Sequence, residues 1–292
     1  MGDHHPESPQ RLDAISDQLL ASGLMPLLAE KDADSASADD ILRVHTPEYL
    51  AFLQEKSPKE GIYTLDDDTA MNPHSLAAAW MAAGAGITAV DAVMGARAET
   101  AFCAVRPPGH HARPSEAMGF CLFNNIAVAA AYALEKYHLK RVAIIDFDVH
   151  HGNGTEEMFE NDERVLMCSF FQHPLFPDTL RNTQADNMLN VPVPADTSNE
   201  AMRAIVTEQW MPRLKAFAPE MLFISAGFDA HLEDDISQLR LTEGDYAWIT
   251  KQLVQQADES AHGRIVSMLE GGYNPSALGR SVVAHIRALS KM

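Results

Sequence analysis

The chain has 292 residues and a formal net charge of −19, with 46% apolar and 22% charged residues. This composition is close to the globular average, which excludes a long disordered or fibrous chain, and the acidic balance disfavours binding to nucleic acid phosphates. No long apolar run or signal region is present, so we expect one catalytic domain over residues 1–292, in the cytoplasm and away from membranes.

Short apolar segments alternate with longer helical patterns along the chain. Five segments rich in β-branched and aromatic residues predict buried strands, at residues 100–105, 141–147, 164–170, 220–226 and 264–269. Four patterns predict helices, at residues 74–94, 125–137, 199–217 and 242–257. The acidic run at 32–40 predicts a solvated loop. Strands that alternate with helices predict an α/β fold, in which an open parallel sheet is flanked by helices on both faces.

Each predicted strand ends in a polar or glycine-rich cluster. The clusters span residues 106–111, 146–154, 169–173, 227–229 and 270–273. In open parallel sheets, ligands bind in the crevice beyond the carboxyl ends of the strands. We therefore expect the clusters to form a single site.

The second cluster has the pattern of a metal site. Asp146, Asp148 and His150 alternate with apolar residues, so in an extended chain their side chains point to one side. A helix-capping Asp beside a surface histidine is the alternative. Asp229 follows a neighbouring strand after a glycine turn, where it could be a further oxygen ligand or only a turn residue. Two carboxylates and one imidazole leave coordination positions for water and substrate, as in catalytic zinc sites.

Two other clusters carry candidate acid–base and oxyanion groups. His110 and His111 follow a stiff Pro-Pro-Gly turn and could divide acid and base work, bind metal together, or lie on the surface. Tyr273 follows two glycines and could direct its phenol towards a developing oxyanion, or simply pack in its loop.

Taken together, these segments resemble the histone deacetylase superfamily, which includes bacterial deacetylase-like amidohydrolases and acetylpolyamine amidohydrolases. The matching segments, in the family's order, are HPE at 5–7 with Arg11, RPPGHHA at 106–112, GFCLFNN at 119–125, DFDVHHGNGT at 146–155, GFDAH at 227–231 and EGGY at 270–273. The resemblance covers nearly the whole chain. It implies a single-domain, arginase/deacetylase-like three-layer sandwich.

The resemblance implies two kinds of metal ion. Zinc would be held by Asp148, His150 and Asp229, although iron(II) could occupy the same oxygen-rich site. An inner, structural potassium ion is also implied. Its ligands would be the side chains of Asp146 and Ser169 and the backbone oxygens of Asp146, Asp148, His150 and Phe170.

The resemblance also implies catalytic roles. Tyr273 would polarise the substrate carbonyl, and His110 and His111 would be the tandem catalytic histidines, with His111 taking a proton from the attacking water. Asp146 would orient His110, and Asn153 would orient His111. Family members closest to the eukaryotic nuclear enzymes carry Asp in place of Asn153, so the match is better to the second class and its bacterial relatives.

Other matching residues would contact the substrate. Phe120 and Phe176 match the aromatic walls of the acyl-lysine tunnel, with plain core packing as the alternative. Gly119 and Gly271 adjoin the tunnel wall and the tyrosine loop. Arg11 resembles an inner-channel arginine, with a place on a helix surface as the alternative.

The segment before the HPE motif is shorter than in relatives, which usually carry a further strand and loop there. Since the motif begins at His5, we expect the first strand of the family to be missing. An internal position of the sheet would then lie open, with unpaired backbone groups.

The implied function is zinc-dependent hydrolysis of a linear amide, in which acetyl-lysine or a similar acylated amine yields a carboxylate and a free amine. An acetylpolyamine or other small-molecule amidohydrolase is the first alternative, and a catalytically silent acyl-lysine-binding module is the second. An arginase-like ureohydrolase is disfavoured, because tandem histidines and a glycine–tyrosine loop belong to the deacetylase pattern. A homo-oligomer is compatible with the sequence.

Overall fold

The computed structural model describes residues 5–178 and 185–292. The strands are β1 (Tyr63–Thr64), β2 (Ala70–Met71), β3 (Thr100–Cys103), β4 (Val142–Asp146), β5 (Val165–Gln172), β6 (Met188–Val193), β7 (Met221–Ala226) and β8 (Ile265–Leu269). The α-helices are α1 (Gln10–Ala21), α2 (Ala38–Ile41), α3 (Pro47–Lys56), α4 (Ser75–Met94), α5 (Asn125–Lys136), α6 (Asn153–Phe159), α7 (Asn199–Ile205), α8 (Met211–Phe217), α9 (Glu243–Ser260) and α10 (Pro275–Leu289).

A parallel sheet of six strands lies at the centre, in the order β3-β8-β7-β4-β5-β6. In the middle of the sheet, Asp146 at the end of β4 pairs with Ser169 of β5 on one side and Ser225 of β7 on the other. The carboxyl ends of these strands therefore lie level with each other. All the strands predicted from the sequence are present, and this alignment brings the polar clusters that follow them to one edge of the sheet.

Both faces of the sheet are covered, as the α/β pattern predicts. Side chains of β4 alternate between two apolar clusters, because successive residues of a strand point to opposite faces. Ala143 and Ile145 pack into the cluster that includes α1, α9 and α10. Val142 and Ile144 pack into the cluster that includes α4 and α5. Burial on both faces explains why the central strands are continuously apolar in sequence.

Helix α4 is long and apolar enough to cross a membrane by length and composition alone. Of the apolar 18-residue stretch of this helix, 56% is buried inside the protein. Val90 and Val93 of α4 lie in the same apolar cluster as α5. This is the arrangement of a core helix in a three-layer fold.

Two local predictions need correction. The helix predicted over 199–217 is divided by a π-helical turn, Val206–Trp210, directly before α8. Pro212 explains the division, because a proline lacks the N–H and crowds the preceding turn. The acidic run at 32–40 is mostly exposed, but it is not only a loop. Ser37 and Asp40 form a capping box that begins α2, and Ala36 is buried.

The opening expected inside the sheet is not found among the described residues. In the sheet order β3-β8-β7-β4-β5-β6, every strand is hydrogen-bonded to its neighbour, and β3 lies at one edge. A further strand beside β3 would therefore extend the sheet rather than fill its interior. That the first strand of the family is missing stays a prediction.

Candidate metal and catalytic site

Three side chains of the types that bind metal meet where β4 and β7 end. One ligand atom from each of Asp148, His150 and Asp229 lies within 4.8 Å of the other two. His150 Nδ1 is 2.9 Å from Asp148 Oδ1 and 3.2 Å from Asp229 Oδ2. Backbone groups fix the other carboxylate oxygens, because Val149 N–H donates to Asp229 Oδ1 and Gly271 N–H donates to Asp148 Oδ2, at 2.9 and 2.8 Å.

These residues fit a divalent metal. Asp229 Oδ2 is buried and accepts no well-aligned hydrogen bond among the described residues, although His150 Nδ1 lies 3.2 Å away, and a bound cation would satisfy this oxygen. Burial and repulsion by the nearby Asp148 carboxylate raise the pKa of Asp229 to about 6, and a bound cation would offset this repulsion. Gly227 leaves room for them, since a Cβ at that position would overlap the Asp148 carboxylate. An open set of two carboxylates and one imidazole suits zinc or iron(II).

The tandem histidines lie beside this set with their ring centroids 4.0 Å apart. His110 Nδ1 is 2.9 Å from Asp146 Oδ2, whereas His111 Nδ1 is 2.8 Å from Asn153 Oδ1. Burial disfavours charge on His110, but the Asp146 carboxylate and other acids raise its pKa to about 10. Burial and the adjacent His110 lower the pKa of His111 well below its ordinary value. The pair therefore offers one protonated and one neutral imidazole.

Tyr273 reaches the site on the loop 270–274, which follows β8. Gly272 has φ +118°, a backbone conformation that glycine adopts far more readily than other residues. Arg11 of α1 fixes this loop from one side: its Nε donates to Gly272 O at 2.7 Å, its Nη2 donates to Glu270 O, and its Cζ lies 4.9 Å from the Tyr273 ring centroid. Arg11 is 1% exposed, so the alternative of a place on the helix surface is wrong.

The charge of Arg11 is balanced by the HPE motif. Arg11 Nη1 lies 3.3 Å from Glu7 Oε1. Arg106 also binds Glu7, through Nε to Oε1 at 2.5 Å and Nη2 to Oε2 at 2.7 Å. A buried arginine needs such a partner, because an unpaired buried charge is strongly destabilising. The motif at the start of the chain thus supports the tyrosine loop from a distance.

Two aromatic rings, those of Phe120 and Phe176, flank the site. The Phe120 ring lies edge-on to Tyr273 and His5, with centroid distances of 5.9 and 4.6 Å. The Phe176 ring lies edge-on to His111, at 5.1 Å. Both phenylalanines are therefore beside the candidate catalytic groups rather than in a remote part of the core. Their contact with a substrate stays a prediction.

The backbone beside Phe120 is unusual. Gly119 has φ +55°, and Phe120 itself has φ +68°, a region that residues with side chains rarely occupy. A Cβ on Gly119 would overlap the His111 ring and lie 2.9 Å from Phe176 Cε1. Thr69, which is fully buried, accepts a hydrogen bond from Phe120 N–H at 3.0 Å. The lack of a side chain at Gly119 therefore lets the rings of His111 and Phe176 approach the backbone closely. Thr69 supports the conformation of Phe120.

The candidate potassium ligands are adjacent but make other contacts. Asp146 and Ser169 are paired across β4 and β5. The Ser169 hydroxyl donates to Asn190 Oδ1 at 2.8 Å. The Phe170 ring stacks on Trp210 with a centroid distance of 5.1 Å, so only its backbone could be a ligand. A potassium ion at this position stays a prediction.

The sequence reading gave no role to Glu270, although it begins the EGGY motif. Its Oε2 accepts hydrogen bonds from Gly109 N–H at 2.7 Å and His110 N–H at 3.1 Å, and its Oε1 accepts one from the Ser225 hydroxyl at 3.0 Å. Burial raises the pKa of Glu270 to about 7. Glu270 therefore joins the tandem histidines to the loop that carries Tyr273. Its position, an acid at the end of an apolar strand, was the available signal.

Comparisons with known proteins identify the family of the chain. The sequence profile of the histone deacetylase domain matches residues 5–289. A probable deacetylase of Archaeoglobus fulgidus is 39% identical over 278 residues, which cover 92% of this chain and 77% of that protein. The polyamine deacetylase HDAC10 of Homo sapiens is 36% identical over 300 residues, which cover 97% of this chain and 44% of that protein.

A solved structure shows the same fold. The crystal structure of the HDA15 HD domain matches with a TM-score of 0.92 at 33% identity, over 100% of this chain and 86% of that chain. This chain therefore belongs to the histone deacetylase family. The resemblance and the arginase/deacetylase-like fold predicted from the sequence are confirmed, and the family supports hydrolase activity.

Proposed function

We propose that the protein is a zinc-dependent deacylase, which hydrolyses the amide of acetyl-lysine or of a similar acylated amine to a carboxylate and a free amine. The observation that carries the proposal is the convergence of Asp148, His150 and Asp229 within 4.8 Å. Beside them lie His110 and His111, whose partners differ. Membership of the histone deacetylase family supports the same reaction.

Asp148, His150 and Asp229 would hold the zinc ion. When bound, zinc supplies Lewis-acid polarisation of a carbonyl oxygen and makes a water easier to deprotonate. All three side chains are buried, and backbone N–H groups fix both carboxylates. The protein therefore orients its ligands before a metal arrives, and charge in the site is poorly screened by solvent.

His111 would act as the general base. Its Nδ1 donates to the Asn153 amide oxygen, so the lone pair on Nε2 is free to accept a proton from the attacking water. Burial keeps the pKa of His111 low, and the neutral ring is the form that a base requires. General acid–base groups of this kind contribute about 10²- to 10⁴-fold to the rate.

His110 and Tyr273 would stabilise the charges that develop. His110 is held in its protonated form by Asp146 and stabilises negative charge in the site. Burial raises the pKa of Tyr273 well above its ordinary value, so the phenol keeps its proton and can donate a hydrogen bond to the carbonyl oxygen. This hydrogen bond strengthens as the oxygen becomes an oxyanion. A protonated histidine then gives its proton to the leaving amine.

An acylated polyamine is the second candidate substrate. A relative with 36% identity is named a polyamine deacetylase. The net charge of −19 would also attract a polycationic small molecule by long-range steering. Acyl-lysine in a protein carries a similar aliphatic chain, so the same site chemistry serves both substrates.

The test is a substrate panel on the zinc-loaded chain. An acetyl-lysine peptide, N-acetylputrescine and peptides with longer acyl groups are compared, with the carboxylate and the free amine both measured. We expect equal amounts of the two products, loss of turnover on chelation, and recovery when zinc is returned. Iron(II)-loaded protein, assayed in parallel, identifies the better metal. Fully zinc-loaded protein that hydrolyses none of the amides would refute the proposed function.

A further inference from the structure

An acidic side chain outside the metal set lies directly against the tyrosine loop. Asp234 belongs to the loop that follows β7 and is 6% exposed. Its Oδ2 accepts hydrogen bonds from Tyr273 N–H at 2.6 Å and Asn274 N–H at 3.0 Å. Its Oδ1 accepts a hydrogen bond from Ile236 N–H at 3.2 Å. A single buried carboxylate thus binds three backbone N–H groups, two of them in the loop that carries the proposed oxyanion donor.

We propose that Asp234 is a positioning residue for Tyr273, which fixes the backbone of Tyr273 and Asn274 so that the phenol stays at the acyl carbonyl. The proposal rests on the proposed deacylase function. Asp234 itself does not touch the reacting atoms. It acts through the tyrosine.

The loop needs support from outside because its own sequence leaves it free. Gly271 and Gly272 precede the tyrosine, and glycine restricts the backbone less than any other residue. Arg11 binds the loop through the carbonyl oxygens of Glu270 and Gly272. Asp234 binds the N–H groups that follow them. The two contacts hold the loop from opposite ends, and neither side chain can replace the other, since a carboxylate accepts and a guanidinium donates.

The contact between Asp234 and the tyrosine loop also connects Tyr273 to the metal ligand Asp229. Asp234 lies on the loop that carries Asp229, and the Ser237 hydroxyl closes this loop by donating to Asp229 O at 2.8 Å. Phe228 N–H of the same loop donates to Gly271 O at 3.0 Å. Asp234 therefore limits the distance between the phenol and the carboxylate of Asp229.

Asn274, whose N–H donates to Asp234, also lies at the start of α10. Asn274 Oδ1 caps this helix at Ala277 N–H, at 3.0 Å, and Asn274 Nδ2 donates to Glu233 O at 2.8 Å. Burial raises the pKa of Asp234, while the backbone N–H donors oppose this by favouring the carboxylate. Tyr273 N–H and Asn274 N–H share Oδ2, so an asparagine could keep both loop contacts with its single carbonyl oxygen and lose only the Ile236 contact. An alanine at position 234 would remove all three contacts.

The test compares Asp234→Ala with Asp235→Ala. Both changes remove one negative charge, but Asp235 is exposed and serves as the matched control. Misplacement of a reacting group by about 1 Å can cost roughly 100-fold in rate. We expect kcat of Asp234→Ala to fall by about that factor, with KM and zinc content little changed, and Asp235→Ala to match the parent. A kcat within about threefold of the parent would overturn the proposal.

A double variant separates positioning from a general loss of structure. If Asp234 acts through the phenol, Asp234→Ala costs little further rate once Tyr273→Phe has removed the hydroxyl. Losses that multiply in the double variant would overturn the proposal. Should Asp234→Ala fail to fold, Asp234→Glu takes its place, since it keeps both oxygens and displaces them by one methylene.

Hydrogen exchange of the Tyr273 and Asn274 amides gives a readout that does not depend on turnover. We expect faster exchange in Asp234→Ala than in the parent and in Asp235→Ala. Unchanged exchange would overturn the role of Asp234 even in an active enzyme. If the zinc-loaded parent hydrolyses no amide, the deacylase function fails, and the exchange rates still decide whether Asp234 fixes the loop.

Discussion

The loop after β4 and the loop after β8 both build the site, but they do so in different ways. The β4 loop itself carries two of the proposed metal ligands, Asp148 and His150. They are close in sequence, and Asp148 Oδ1 lies 2.9 Å from His150 Nδ1. The β8 loop supplies one functional side chain, Tyr273, among glycines. Residues distant in sequence, Arg11 and Asp234, fix that loop. A local pattern is therefore enough to place the metal ligands, whereas the tyrosine depends on the packing of the whole fold.

The largest effect is expected from breaking the metal set. Asp148→Ala or Asp229→Ala removes one of the proposed protein ligands and leaves the remaining pair too few to hold zinc. Metal analysis of the purified variants should give little zinc, and turnover should be lost. Asp235→Ala, at an exposed position, is the control. Stoichiometric zinc in either ligand variant would refute the assignment.

The next effect separates catalysis from metal binding at His111, which lies on the loop after β3, beside the proposed metal ligands. His111→Ala removes the proposed base, so the rate should fall by about 10²- to 10⁴-fold. Zinc content should stay at the parent level, because His111 is not among the proposed ligands. A nearly normal rate in this variant would move the base role to His110.

Tyr273→Phe tests the chemistry of the β8 loop alone, because the ring and its packing are kept. Loss of one oxyanion donor typically costs about 100- to 1,000-fold in rate. We expect kcat to fall by about that factor, with substrate affinity and zinc content little changed. If Tyr273 merely packs in its loop, the rate will be nearly normal. A turnover number within about threefold of the parent would therefore exclude the oxyanion role.

The same contrast explains what the sequence could and could not predict of the fold. The central strands are continuously apolar because they are buried on both faces, so they could be recognised. Strand β6 is half-exposed and contains Pro192, which suits an edge strand but weakens its pattern. The hairpin of β1 and β2 has only two residues in each strand. The edge strand β6 and the separate two-stranded sheet of β1 and β2 were therefore missed.

For the site, residues on strand ends could be predicted and their supports could not. Asp146, Asp148 and His150 form a short alternating pattern that the structure brings to one place. Asp234 lies in the run Glu233–Asp234–Asp235, which has the composition of an exposed loop. Only the packing of that loop against the tyrosine loop buries it. Such a contact between distant segments leaves no periodic signal in either of them.

The smallest expected effect concerns the aromatic wall, where a remote side chain again supports a functional one. Thr69 accepts the N–H of Phe120 and donates its own hydroxyl to Asp68 Oδ1 at 2.8 Å. Phe120 has φ +68°, a conformation that costs about 1–2 kcal/mol for a residue with a Cβ. Without the Thr69 hydroxyl, the free-energy cost of the Phe120 conformation is no longer offset by a hydrogen bond. The partly buried N–H of Phe120 also loses its acceptor.

Thr69→Val keeps the shape of the side chain and removes both hydrogen bonds, so the free energy of unfolding should fall by about 1–3 kcal/mol. The melting temperature should then drop by a few degrees. We expect KM for an acyl-lysine peptide to rise by a small factor, because the Phe120 wall becomes less fixed, while zinc content stays unchanged. Thr69→Ser keeps the hydroxyl and should remain closer to the parent in both stability and KM. Equal stability and KM in the valine and serine variants would mean that the Thr69 hydroxyl does not support this wall.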